Sequence, residues 1–471
     1  MQKGVSSLVF TVTAMCALAA DSPDGWPRWR GPGENGVARG DAPLKWSDSD
    51  HISWKVDVPG RGNSSPVLWG DRIFLTTAVP TGKPAAESTG AAAATPPDAP
   101  PPAGPGGPPQ GGPGGRPPGG PGGGGRRGGG GFNGAAMRPQ AEQKFLVLAF
   151  DRKTGKRLWE QVARVATPHQ GFHSQYGSFA SPSMLVDSKH AIAFFGSRGL
   201  YCYTHDGQKV WEKDFGIQMR IPMAFGEGVS PALDGERLIV LFDQEDESFL
   251  TALDKSSGRE LWRTPRPSGT GWSSPLIATV NGRRQIIVAA TKFSGGYDLE
   301  TGKLLWKITG LGRNVIPMPV AADGIVYLMS GYQSPNLMAV KLGGEGDLPA
   351  DAILWQNQRG NSYTPSPVLA DGKLYVLADN GMLSCFDART GKAFYQQQRL
   401  PKPYSFKASP VAAGGKLYLA TEDGDVVVVK MGEQFEVLAT NSLADQRFIA
   451  TPAVADGAIY LRGQNTLFCV R

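Results

Sequence analysis

The sequence predicts an all-β fold: an eight-bladed β-propeller of four-stranded blades, with the ring closed by an N-terminal strand. Three observations predict it. A small or polar residue and a proline, then an apolar run, a turn and a second apolar run recur eight times, with key prolines at Pro66, Pro182, Pro231, Pro275, Pro319, Pro367, Pro410 and Pro452. From the second copy onward these prolines are 42 to 49 residues apart, the length of one blade. The last copy stops at Phe468-Cys469-Val470-Arg471, one strand short, while His51–Val56 near the start is a strand with a Trp and nothing before it to pair with. Placing Trp54 in the outer strand of the last blade completes the ring and removes its open edges.

Each element follows in order. Residues 1–20 read as a signal peptide: Lys3, an apolar run from Val5 to Ala20, and Ala17-Leu18-Ala19 as small residues for cleavage. Cys16 offers a lipoprotein alternative, but the bulky Met15 beside it fits a lipobox poorly. Residues 21–45 form a lead-in, and 46–471 a single propeller. Within the first blade, residues 80–139 are an insert more than half Gly and Pro, too poor in apolar residues to build a core and expected to be disordered. Removing it brings the long first step, Pro66 to Pro182, back to the period of the others.

The second half of each copy supplies strands C and D, as in LAFDRKTGKRLW ending at Trp159, TALDKSSGRELW at Trp262 and GYDLETGKLLW at Trp306. Asp before Thr-Gly-Lys marks a tight turn in which Gly accepts positive φ and Asp bonds the turn backbone. Trp54, Trp159, Trp211, Trp262, Trp306 and Trp355, with Tyr395 at the same place in copy six, are expected to dock on neighbouring blades. Copy five has a longer turn, GGEGDLPADA, and copy seven has lost both the Gly turn and the Trp.

The net charge is +6, but Lys3 and the cations of the insert supply most of it, so no basic footprint for nucleic acid remains. No later apolar run approaches the roughly 20 residues a spanning helix needs. Cys202, Cys385 and Cys469 stand at equivalent repeat positions and read as small buried hydrophobes. No CxxC pair, nucleophile motif, P-loop or dinucleotide fingerprint is present.

The A-x-D-x-x-T-G-K-x-x-W pattern resembles the tryptophan-docking repeats of PQQ-type propellers over about residues 46–78 and 144–471, and WPRWRGPGENGV (Trp26 to Val37) resembles the lead-in of secreted bacterial PQQ-repeat proteins. That resemblance implies one of two functions. Quinoprotein dehydrogenases hold PQQ and calcium at the top of the channel; other propellers, such as the BamB-like lipoproteins of barrel assembly, are not enzymes. This chain lacks the vicinal cysteines many of the dehydrogenases carry, and the segments entering its first strands are poor in acids for calcium or a general base. The expectation is therefore an exported, periplasmic or secreted, monomeric binding or scaffold module without a cofactor, with a PQQ- and calcium-dependent oxidoreductase as the alternative.

In a propeller the D-to-A and B-to-C connections share the face around the channel mouth. The D-to-A segments bring Arg61, Asn63, His173, Tyr176, Arg220, Glu227, Trp272, Arg313, Asn314, Tyr363, Lys407 and Arg447 to that face. Read together they form a cationic, amide-bearing mouth with aromatic walls, suited to an acidic peptide or an anionic small molecule. His169 and His173 are four apart but in a Gly-bearing loop, so they are not read as a metal pair. Asp243, Glu245, Asp246 and Glu247 in a B-to-C connection read as a solvated hairpin tip.

Overall fold

The computed structural model describes residues 25–84 and 140–471. The leader 1–20, with Cys16, and most of the 80–139 insert lie outside these residues. Eight antiparallel sheets follow one another around a ring. The first blade runs Val67–Trp69, Arg72–Pro80, Gln143–Asp151 and Arg157–Ala166 from the axis outward. Its second and third strands pair as far as Pro80 with Gln143, so the insert springs from the tip of this hairpin. In the last blade Ile52–Asp57 pairs antiparallel with Thr466–Val470, placing Trp54 opposite Cys469. The ring is thus closed by its N-terminal strand. The core lies between blade faces: Val67, Phe74 and Val147 of the first blade pack with Ala191, Ala193 and Tyr203 of the second. The three cysteines are free and buried.

The repeated turn is a socket for the preceding blade's tryptophan. Asp151 Oδ1 accepts from the backbone N–H and hydroxyl of Thr154 at 2.8 and 2.6 Å, and Asp298–Thr301 and Asp387–Thr390 repeat this. Each turn then presents a carbonyl and a bare glycine. Trp54 donates to Arg152 O at 3.1 Å, Trp159 to His205 O at 2.7 Å, Trp211 to Lys255 O at 2.9 Å, Trp262 to Leu299 O at 3.2 Å and Trp355 to Ala388 O at 2.9 Å. Tyr395 is buried against Phe435 of blade seven.

Trp306 departs from the pattern. The longer turn of blade five has no Thr-Gly-Lys to receive it, and Trp306 instead donates to Gln285 Oε1 of its own blade at 2.9 Å. Gly346–Asp347, from that longer turn, adds a fifth, parallel strand beside Leu304–Ile308. The missing socket is thereby replaced by a strand that covers the outer edge of blade four.

The glycine of the turn is needed for two separable reasons, and a pair of variants separates them. Gly258 has φ +70° and a Cβ there would sit 2.6 Å from the Trp211 ring, whereas Gly235 has φ +55° and open space around it. Gly235→Ala is expected to cost about 1 kcal/mol and Gly258→Ala roughly 2–4 kcal/mol, measured by denaturant unfolding.

Candidate functional site at the channel mouth

The residue before the key proline builds the inner wall. Its backbone N–H donates to the hydroxyl of the equivalent residue in the next blade: Ser65 to Ser183 at 2.8 Å, Ser183 to Ser230 at 2.9 Å, and Ser230 to Ser274 at 3.0 Å. The belt resumes from Met318 to Ser366, Ser366 to Ser409, Ser409 to Thr451 and Thr451 back to Ser65, at 2.9, 2.9, 3.1 and 3.0 Å. Met318 brings no hydroxyl, so the belt is interrupted at blade five. In blade two the belt residue is Ser183, which follows Pro182 rather than preceding it. The marker proline there is two positions out of structural register, with Met184 standing where Pro66 stands in blade one, a correction the hydrogen bonds dictate.

The lead-in threads this belt. Trp26 pairs with Leu68, Pro27 O accepts from Val186 N, and Arg28 donates to Leu233 O. Glu34 accepts from Ile277 N, Asn35 donates to Leu369 O, and Gly36 O accepts from Ala412 N. Arg30, 1 % exposed, donates to Pro410 O at 2.9 Å and Pro367 O at 2.8 Å. Desolvation opposes its charge, and carbonyls rather than a carboxylate hold it. The Trp29 indole donates to Thr451 Oγ1 at 3.0 Å and packs on the cluster containing Met318. One short segment therefore reaches the inner strands or belt of blades one to four and six to eight, and Trp29 also packs against blade five.

Above Trp29 lies a cavity of about 320 Å³. Phe225, Trp272, Ile316, Tyr363 and Ile449 line it, with the hydroxyls of Ser65, Ser183, Ser230 and Thr451. Of the residues expected at the mouth, the fold brings Asn63, His173, Tyr176, Glu227, Trp272, Tyr363 and Lys407 to this lining. His173 and Tyr176 stack at 4.5 Å on a loop that reaches across the mouth, tied by Arg61 to Ser174 O and by Asn63 to Tyr176 O. Lys407 lies 4.6 Å and Arg447 5.5 Å from the Tyr176 ring centre. Burial, then Lys407, Arg447 and Arg61, hold His173 below the usual imidazole range. Asn314 stays outside the lining but bonds Tyr363.

The cationic mouth expected from the sequence is largely neutralised by acids. Lys407 pairs with Asp379 at 3.3 Å and Glu422 at 3.8 Å, Arg447 pairs with Glu422, and Arg220 pairs with Asp246 at 2.7 Å on the exposed rim. Arg313 is also exposed, outside the cavity lining. The acids come from B-to-C connections, whose carboxylates sit opposite the D-to-A cations. The acidic hairpin is likewise only partly solvated: Asp243 is buried against Arg266 at 3.0 Å, and Glu245 accepts from Thr270. His169 Nε2 donates to Met219 O and its Nδ1 accepts from Arg198, away from His173.

The donor set does not fit a calcium–cofactor centre. Glu227 is the one carboxylate among the cavity's lining residues. Its two oxygens already accept from Ser197 N at 2.5 Å and Ser197 Oγ at 2.7 Å. Burial pushes its carboxyl up, against the pull of those bonds and of Arg198. Among the described residues no group of three or more His, Cys, Asp and Glu converges as a metal site would require.

Sequence reasoning missed Trp29, the belt hydroxyls, Phe225, Asp379 and Glu422. The recurring Ser or Thr beside proline was a usable signal for the belt, as were the acids before glycine in ADNG and TEDG for the rim pairs. The plug gives a stability prediction. Arg30→Met strips the donor from two buried proline carbonyls and is expected to cost roughly 2–4 kcal/mol, whereas Asn35→Ala costs about 1 kcal/mol or less, both measured by thermal unfolding.

Comparison with known proteins agrees with this architecture. The family described as "Outer membrane protein assembly factor BamB" matches residues 143–397 and 346–470, more than half of the chain. Outer membrane protein assembly factor BamB of Yersinia pestis is 23% identical over 356 residues, covering 69% of this chain and 79% of that protein. The 1-butanol dehydrogenase (quinone) of Thauera butanivorans is 28% identical over 190 residues, covering 39% of this chain and 28% of that enzyme. In fold, the crystal structure of quinohemoprotein alcohol dehydrogenase from Comamonas testosteroni superposes with a TM-score of 0.59 at 11% identity, covering 96% of this chain and 81% of that one. By the extent of the family match, the chain belongs to the PQQ-repeat propeller family of outer membrane protein assembly factor BamB.

Proposed function

We propose that this propeller is an exported, cofactor-free binding module of the cell envelope that holds a polypeptide partner at its channel mouth and serves envelope protein assembly. The observation that carries the reading is the shortage of acids at the mouth: Glu227 is the one carboxylate among the cavity's lining residues, too few for the oxygen-rich shell calcium takes. The family membership and the similarity to an outer membrane protein assembly factor support it. No helix among the described residues is long and apolar enough to cross a membrane. The leader at residues 1–20 supports a periplasmic location.

The mouth also favours acidic partners. On one side Arg61, Lys407 and Arg447 face two acids, Asp379 and Glu422, an excess of one positive charge beside the cavity.

Two experiments test the reading. Purified full-length protein supplied with PQQ and Ca²⁺ is expected to show no dye-linked alcohol oxidation; saturable turnover would establish the oxidoreductase alternative instead. In its own host, a deletion strain is expected to accumulate less folded outer-membrane protein, seen as heat-modifiable mobility on gels, and unchanged levels would remove the assembly role.

A further inference from the structure

We infer that the blind cavity above Trp29 is an anchor pocket for one aromatic side chain of a partner polypeptide, with an acidic residue adjacent in that polypeptide reaching Lys407. This rests on the reading of the mouth as a polypeptide-binding site and names the subsite and its chemistry.

The size and wall chemistry come first. About 320 Å³ is the low end of the range for small-ligand pockets and room for one large side chain. Phe225, Trp272 and Tyr363 supply ring faces, Ile316 and Ile449 complete an apolar wall, and polar groups gather at the lip, where His173, Tyr176 and Lys407 stand. An apolar, desolvated depth under a polar rim is the anatomy of a binding hot spot, and aromatic residues are the side chains that fill such depths.

The molecule already contains the contact in mirrored form. From the opposite end of the channel the lead-in, an extended peptide, pushes Trp29 up to the belt, where its N–H finds Thr451 Oγ1 at 3.0 Å. The lower half of the channel is thus filled by a tryptophan from a peptide held through its backbone and flanking charges, and the upper half offers hydroxyls of the same belt beneath aromatic walls. In the belt Ser65, Ser183 and Ser230 act as acceptors of backbone N–H groups, so each hydroxyl retains its own O–H to offer a phenol or carbonyl oxygen.

Charge selects the flanking residue. Lys407 lines the cavity and lies between Asp379 and Glu422, with Arg447 and Arg61 close enough to depress His173. A carboxylate beside the buried ring meets three cations held by two acids; an ammonium meets the reverse.

The test uses the full chain and three peptides in isothermal titration calorimetry: acetyl-Glu-Trp-Glu-amide, acetyl-Glu-Ala-Glu-amide and acetyl-Lys-Trp-Lys-amide. The first is expected to bind at least tenfold more tightly than either of the others. Equal affinity of the Trp and Ala peptides, or no binding by any of the three, overturns the inference. Ile449→Trp, which fills the cavity from its wall, is expected to weaken the first peptide at least tenfold with an unchanged melting midpoint; undiminished binding also overturns it. Should that variant fail to fold, the comparison of peptides on the unaltered chain decides alone. A normal assembly phenotype with no peptide discrimination would sink the pocket and leave the proposed function standing, whereas PQQ-dependent turnover would sink both.

Discussion

The pairing of Ile52–Asp57 with Thr466–Val470 is the constraint on which the rest depends. A propeller blade cannot bury both faces alone; each needs neighbours, and a ring has no end blades only if the chain's two ends meet in one sheet. Once they do, five docking tryptophans have a turn of the next blade to land on, including Trp54, whose indole reaches Arg152 O in blade one. The belt of hydroxyls closes in the same act, because Thr451 of the last blade donates its backbone N–H to Ser65 of the first. Peripheral indoles and axial hydroxyls thus hold the ring at two radii.

The lead-in changes what that ring can do. An open propeller has a channel; this one has a cup. Arg30 is held by carbonyls of blades six and seven, and Trp29 forms the floor. Approach is then from the mouth alone, under the His173–Tyr176 lip. The rim cations are mostly neutralised by acids of the B-to-C connections, so in the proposed reading a partner binds chiefly through the aromatic depth and the residual positive charge selects the residue beside it. Glu227, bound by Ser197, braces the wall it stands in.

Much of the fold was legible because repetition exposes it. Eight spaced prolines, a turn signature and a stranded Trp54 fixed blade number and closure, since each reports a local rule of strand or turn geometry. Exceptions were less visible: Trp306 turns into its own blade because of what blade five lacks, and the shifted Pro182 differs from its equivalents only in register. The site was legible in part. D-to-A residues could be assigned to the mouth, but the pairings of Lys407 with Asp379 and Arg447 with Glu422 depend on which B-to-C acids stand opposite, and no local pattern encodes that. Trp29 belongs to a segment without secondary structure, whose role appears only when the axis it fills exists.

Closure and the plug are separable by calorimetric unfolding of three chains: the full protein, one beginning at Trp46 that lacks the lead-in, and one beginning at Pro59 that also lacks the closing strand. The expected result is a moderate fall in melting midpoint for the first truncation and a further fall of more than about 10 °C, with loss of a single cooperative transition, for the second. Equal midpoints for the two truncated chains would contradict a ring held by its N-terminal strand.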